Sequence, residues 1–300
     1  MFRKANEVIK ECEERGLQIH DLVLEDELDS SQINKDDILY NLRQMFKVME
    51  KSATGNLNKE TKTAMGMIDG FAKKMYAHSK SGRSITGPFI TEAMAMAFST
   101  LEISAAMGEI VASPTAGSSG ILPAILYSLK KREGFSDEKI VEAMLTAIGM
   151  GKIIGYYGSF AGAEGGCQAE TGSGAAMGAA ATAYLYGEDP EGCFHAASFA
   201  LLHVLGLVCD PIAGLVEYPC TFRNASGVVN AFISADMAMA GIRSVVPFDE
   251  VCKAAGEIGS AMPEALRETG IGGIAGTETA RKIKKRFYAL GDNSAENEEE

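Results

Sequence analysis

Three cysteines, Cys167, Cys209 and Cys220, are the residues of this 300-residue sequence best suited to hold a metal. Cys167 sits in GAEGGCQAE, and Cys209 and Cys220 open and close CDPIAGLVEYPC. Gly165, Gly166, Pro211 and Pro219 impose special backbone geometry beside these thiols, as ligands presented from loops or helix ends require. No two of the three share the two-residue gap of a zinc ribbon or a ferredoxin loop, so the fold itself must gather them. Buried structural cysteine is the plainer reading of any one thiol. Cys12, Cys193 and Cys252 lie in ordinary helical patterns and are read in that plainer way.

Other residues suit the handling of a small anionic substrate. In the loop SPTAGSSGILPA, from Ser113 to Ala124, hydroxyls and glycine amides precede a helix expected to begin near Gly120. Free donors at such a helix start accept a carboxylate, which makes Thr115, Gly117 and Ser118 candidate contacts; a polar turn is the alternative. No G-x-S-x-G elbow surrounds these serines, so a nucleophilic serine is not expected. Arg223, three residues after Cys220 and followed by Asn224, can clamp a carboxylate with paired hydrogen bonds, against the alternative of a surface ion pair. Glu164 and His203 are the candidates for acid-base work, against a solvated carboxylate and a hydrogen-bonded core histidine respectively. Lys152 in GMGKIIG has Thr146 where a phosphate loop needs its first glycine, and no Ser or Thr follows it.

The elements that must position these groups read as helices. Asn34 is expected to cap a helix with Asp37 in its first turn and Ile38, Leu39, Leu42, Met45, Phe46 and Met49 on one face, ending at Gly55. Ser136 opens a second, with Ile140, Val141, Met144, Leu145 and Ile148 in helical register until Gly149 and Gly151. Alternating strand patterns are scarce, and the expected fold is all-α: a single multi-helix catalytic domain. Small residues crowd Gly162 to Gly178, where helices or a ligand can approach the backbone closely. Residues 1–60 are expected to form peripheral helices on a catalytic domain of residues 61–291. Residues 292–300, DNSAENEEE, are expected to be a disordered acidic tail.

A net charge of -12 and a pI near 5.0 disfavour nucleic acid and anionic lipid as main partners. The N-terminal MFRKANEVIKECEERG lacks an apolar signal block, and six cysteines are too sparse for a disulfide scaffold, so a cytoplasmic protein is expected. The apolar stretches Ala93 to Met107 and Phe199 to Val216 are interrupted by Glu102 and by His203 and Asp210, which marks them as core and not membrane spans.

Taken together, the blocks SITGPFITEAMAMAF, SPTAGSSGILPA, SFAGAEGGCQAETGSGAAM, LGLVCDPIAGLVEYPC, RNASGVVNAFISADMAMAGI and PEALRETGIGGIAGTETAR resemble the alpha chain of the two-subunit iron-sulfur-dependent L-serine dehydratases. They occur in order across most of Ser84 to Arg281. The resemblance implies an all-helical catalytic subunit with a 4Fe-4S cluster on Cys167, Cys209 and Cys220, a separate beta subunit as partner, and L-serine as substrate. It implies that an iron left open by three cysteines acts as Lewis acid on the substrate hydroxyl while a base, Glu164, His203 or a residue of the beta subunit, removes the α-proton. Rival readings are a cluster-dependent cysteine desulfidase or threonine dehydratase, pyridoxal phosphate chemistry on Lys152, and a structural-metal or redox-sensing protein using the same thiols.

Overall fold

The computed structural model describes residues 3–295, and the side chains up to residue 289. Thirteen α-helices follow one another: α1 (Ala5–Arg15), α2 (Ile19–Ser30), α3 (Lys35–Thr54), α4 (Phe71–Ser79), α5 (Gly87–Ala105), α6 (Ile121–Glu133), α7 (Asp137–Tyr157), α8 (Gly162–Gly165), α9 (Ser173–Leu185), α10 (Pro190–Leu202), α11 (Cys220–Met239), α12 (Phe248–Ala261) and α13 (Glu278–Ala295). Among the described residues there is no strand; one isolated bridge joins Cys209 to Arg267. The all-α expectation therefore holds. No described helix is long and apolar enough to cross a membrane.

Local chemistry sets the helix limits. The Asn34 side chain accepts from the Asp37 amide to start α3, and Ser136 accepts from the Lys139 amide to start α7. Leu42, Phe46 and Met49 of α3 face the core, whereas Met45 stays exposed. Helix α7 does not stop at Gly149 and Gly151; it runs on to Tyr157. Both glycines are buried, and an added Cβ on Gly151 would only touch Met177 of α9 at 3.6 Å. Burial of this stretch of α7 in the core overrides the low helix propensity of both glycines.

Helix α9 is the axis of the molecule. Every one of its residues, SGAAMGAAATAYL, is buried, and α6, α7, α10 and α11 all pack on it. Its small side chains permit this: a Cβ on Gly174 would lie 3.1 Å from Ile121 Cδ1 of α6. The N-terminal helices join the same core through Val8, Leu22, Val23 and Met49. Lys152 of α7 pairs with Asp26 at 2.6 Å and Glu27 at 2.7 Å on α2. Of the segment expected to be an acidic tail, residues 292–295 continue the α13 helix, and residues 296–300 lie outside the described residues.

Candidate metal centre

Cys167, Cys209 and Cys220 are all buried and none is in a disulfide; the Cys209 thiol contacts Cys167, and Cys220 lies near enough to feel the charge of Cys167. Cys167 stands at the mouth of a π-helical turn, Gln168–Gly172, that leads into α9. Gly166 before it has φ +73°, and a Cβ there would strike Met262 Sδ and the Leu207 carbonyl, so glycine is required on two counts. Gln168 anchors the turn: its amide donates to Leu207 O, its Nε2 donates to Ala255 O, and its Oε1 accepts from Gly206 N.

Cys209 is held by its backbone. Its amide donates to Leu266 O at 2.9 Å, and its carbonyl accepts from Glu268 N at 2.7 Å. Cys220 is the first residue of α11, and Asn224 one turn later donates both to Cys220 O at 2.9 Å and to Gly117 O at 2.7 Å. Asn224 Oδ1 also accepts from Gly120 N, so one buried amide ties the 113–120 loop to the helix carrying the third thiol.

The electrostatics of this pocket are unusual. The Cys209 thiol donating toward it, with help from the Arg223 guanidinium and the Thr171 hydroxyl, holds Cys167 below the ordinary thiol range despite its burial. Cys209 is pushed up by that same contact and then by burial; Cys220 is pushed up by burial and then by the charge of Cys167. Glu170, buried within the turn, is pushed up to about 7 by burial and by Cys167. Its Oε2 lies 3.8 Å from Cys209 Sγ, and its Oε1 accepts from Thr115 Oγ1 at 2.9 Å. Asp210, also buried, accepts from Arg223 Nη2 at 2.6 Å and from Ile274 N at 2.7 Å.

Three thiols and two carboxyls thus share a desolvated space with the guanidinium of Arg223. Ionising such a set needs more positive charge than one arginine brings, and iron would bring it. Glycines keep the space open: a Cβ on Gly162 would sit 2.7 Å from Cys209 Sγ and 3.0 Å from Glu170 Oε2, and one on Gly117 would sit 2.8 Å from both Glu170 oxygens. Among the described residues no three His, Cys, Asp or Glu side chains close in as they would around a single ion. A cluster, whose own iron and sulfide atoms fill the middle, takes ligands that stand farther apart. The donor set fits such a group.

The remaining candidates fall in different places. Arg223 lies against Cys167, and its Nη1 makes no hydrogen bond among the described residues. Thr115, Gly117 and Ser118 form the wall beside Glu170, with the Thr115 and Ser118 hydroxyls 3.1 Å apart. Of their polar atoms, Thr115 Oγ1 bonds the internal carboxyl of Glu170, while Ser118 Oγ pairs with Thr115 and the Gly117 carbonyl accepts from Asn224. Glu164 is exposed on α8 and lines a cleft of about 870 Å³ between α7, α8 and α12, in which none of the three thiols takes part. His203 is exposed on the rim of a smaller recess, about 470 Å³, whose wall includes Thr171 and Arg223. That recess, though smaller, borders the thiols, because Thr171 Oγ1 lies 3.4 Å from Cys167 Sγ.

Glu170, Thr171 and Asp210 were not singled out from sequence. A signal existed for each: Glu170 and Thr171 follow Cys167 by about one helical turn, and Asp210 adjoins Cys209.

Comparison with known proteins identifies the family. Residues 14–275 match the family model described as serine dehydratase alpha chain. The chain is 56% identical to the L-serine dehydratase, alpha chain, of Peptoniphilus asaccharolyticus over 97% of its own length and 100% of the relative's. It is 43% identical to the probable L-serine dehydratase, alpha chain, of Bacillus subtilis (strain 168), over 97% of each. It is also 35% identical to an L-serine dehydratase of Streptomyces coelicolor, covering 91% of this chain and 60% of that longer one.

Proposed function

The chain belongs to the serine dehydratase alpha-chain family, and from that premise we propose that it is the catalytic subunit of a lyase that deaminates L-serine to pyruvate and ammonia, with Cys167, Cys209 and Cys220 as ligands of a 4Fe-4S cluster. The proximity of three buried thiols distant in sequence, with Arg223 against one of them, carries this reading. The cluster, when bound, supplies Lewis acidity toward the substrate's hydroxyl group.

The chain's own residues do the rest. Arg223, with Nη2 on Asp210 and Nη1 free of hydrogen bonds among the described residues, is the group to receive the substrate carboxylate. Thr115 holds Glu170 by its hydroxyl, Ser118 braces Thr115, and Gly117 leaves room for the carboxyl, so this loop supports the site from behind. Of the two acid-base candidates, His203 shares a recess with Arg223, whereas Glu164 opens onto a cleft elsewhere; His203 is the better placed to take the α-proton. A beta subunit, implied by the alpha-chain family, would complete the enzyme. A cytoplasmic location suits six free thiols.

Anaerobic purification with a co-expressed beta chain, followed by iron and sulfide analysis and a pyruvate assay on L-serine, tests the reading. Replacing Cys167, Cys209 or Cys220 singly by serine is expected to abolish both iron and turnover, while Cys193→Ser keeps both. Full activity in any of the three ligand variants would sink the assignment.

A further inference from the structure

His203 follows the last turn of α10, and its ring Nδ1 lies 2.6 Å from Oδ1 of Asn230 on α11. A histidine contact of this kind leaves the tautomer open until the partner's orientation is known. Here the partner's orientation is fixed. Asn230 is buried, and its Nδ2 donates to the carbonyl of Ala200 at 2.8 Å. That carbonyl is free to accept because Val204 N, which would reach it in a continuing helix, bonds Leu201 O instead. A flipped amide would set oxygen against oxygen at Ala200. Ser234 Oγ, one turn further along α11, donates to the same Oδ1 at 3.2 Å, which is compatible with that orientation.

An acceptor at Oδ1 requires a donor on the imidazole, so the neutral ring carries its proton on Nδ1 and its lone pair on Nε2. We propose that Asn230 is a positioning residue: it fixes His203 as the Nδ1–H tautomer, so that Nε2 is the proton acceptor toward a substrate held in the recess beside Arg223. The inference rests on the proposed deamination, and it adds the residue that prepares the base. Among the described residues Arg223 is the other ionisable group lining this recess, and none of them brings a second carboxylate or imidazole there. The arrangement follows the general pattern in which a third group orients a histidine base through the nitrogen that does no chemistry.

Long-range proton–nitrogen NMR on the histidine-labelled subunit tests the tautomer without reference to turnover. With four histidines in the chain, the His203 ring signals are identified by their loss in His203→Gln. The expected pattern for the neutral ring is a protonated Nδ1 and an unprotonated Nε2; the opposite tautomer would overturn the proposal. Kinetics on the assembled enzyme supply a second readout. His203→Gln is expected to lower kcat on L-serine by about 100-fold with iron content unchanged, and Asn230→Leu by about tenfold with little change in KM. Unchanged kcat in iron-replete His203→Gln would refute the base role, whereas loss of iron in the cysteine variants without loss of activity would refute the cluster reading instead. Should Asn230→Leu fail to fold, the wild-type tautomer still decides the matter.

Discussion

Glu102 illustrates how one residue can carry a pH dependence far from any chemistry. It has no exposed surface and accepts from Asn56 Nδ2 at 3.0 Å and from the Ala72 amide at 2.8 Å, near the start of α4. Burial nonetheless outweighs those bonds and pushes its carboxyl up to about 7 from 4.5. The folded chain therefore holds this proton where the unfolded chain has released it, so stability is lost as pH rises from about 4.5 through 7. Glu102→Gln removes that slope, and urea midpoints should show the variant gaining on wild type across the window, by about 3 kcal/mol in all. A difference independent of pH would refute this assignment. Single residues were the least legible level of the sequence. Cys167, Cys209, Cys220 and Arg223 stood out because glycine, proline or a neighbouring thiol marked them. Glu170 did not, since a glutamate one turn after a cysteine reads as solvated until its burial is known. The polarity of Asn230 likewise says nothing of which way its amide points.

At the level of elements, most of what matters was written locally. Asn34 and Ser136 cap where their types predict, because a side-chain acceptor satisfies amides that no other residue can reach. Helix α7 runs past Gly149 and Gly151 because glycine, which punctuates exposed helices, is carried through where the helix is buried. The short α8 shows the same logic more sharply. Gly259 of α12 crosses Gly165 so closely that an added Cβ would lie 2.7 Å from its Cα and 3.1 Å from its carbonyl oxygen. Neither backbone can yield without moving Gly166 and Cys167. Gly259→Ala is therefore expected to destabilise the fold by about 1–3 kcal/mol, read from the urea midpoint, and to weaken iron retention in parallel. Gly16→Ala, at a helix end with nothing within 4 Å, offers a contrast in which backbone strain at φ +65° acts alone and iron is kept.

Across the whole molecule, the hydrophobic core is shared from α1 to α12, so residues 1–60 cover the rest and are built into it as well. A chain lacking α1 and α2 would bare the surfaces that Val8, Ile19, Leu22 and Val23 now fill, each worth about 1.5–3 kcal/mol, and would orphan Lys152. Such a truncation is expected to be insoluble or to melt far below the intact chain, with one cooperative calorimetric transition for the latter. Two separate transitions in the intact chain would argue for independent units. This level was half legible: abundant Ala, Met and Leu without strand patterns pointed to helices, but nothing in the order of residues told which loops would meet. That meeting is a property of α9, whose small side chains let four helices close around one axis and bring their ends to the same place. The segment from Leu266 to Ile274 completes that place from outside, clasping the backbone of Cys209 and the carboxylate of Asp210. If the proposed cluster is carried there, a single proteolytic nick in that clasp is expected to bleach its visible colour while the circular dichroism of the helices still looks intact.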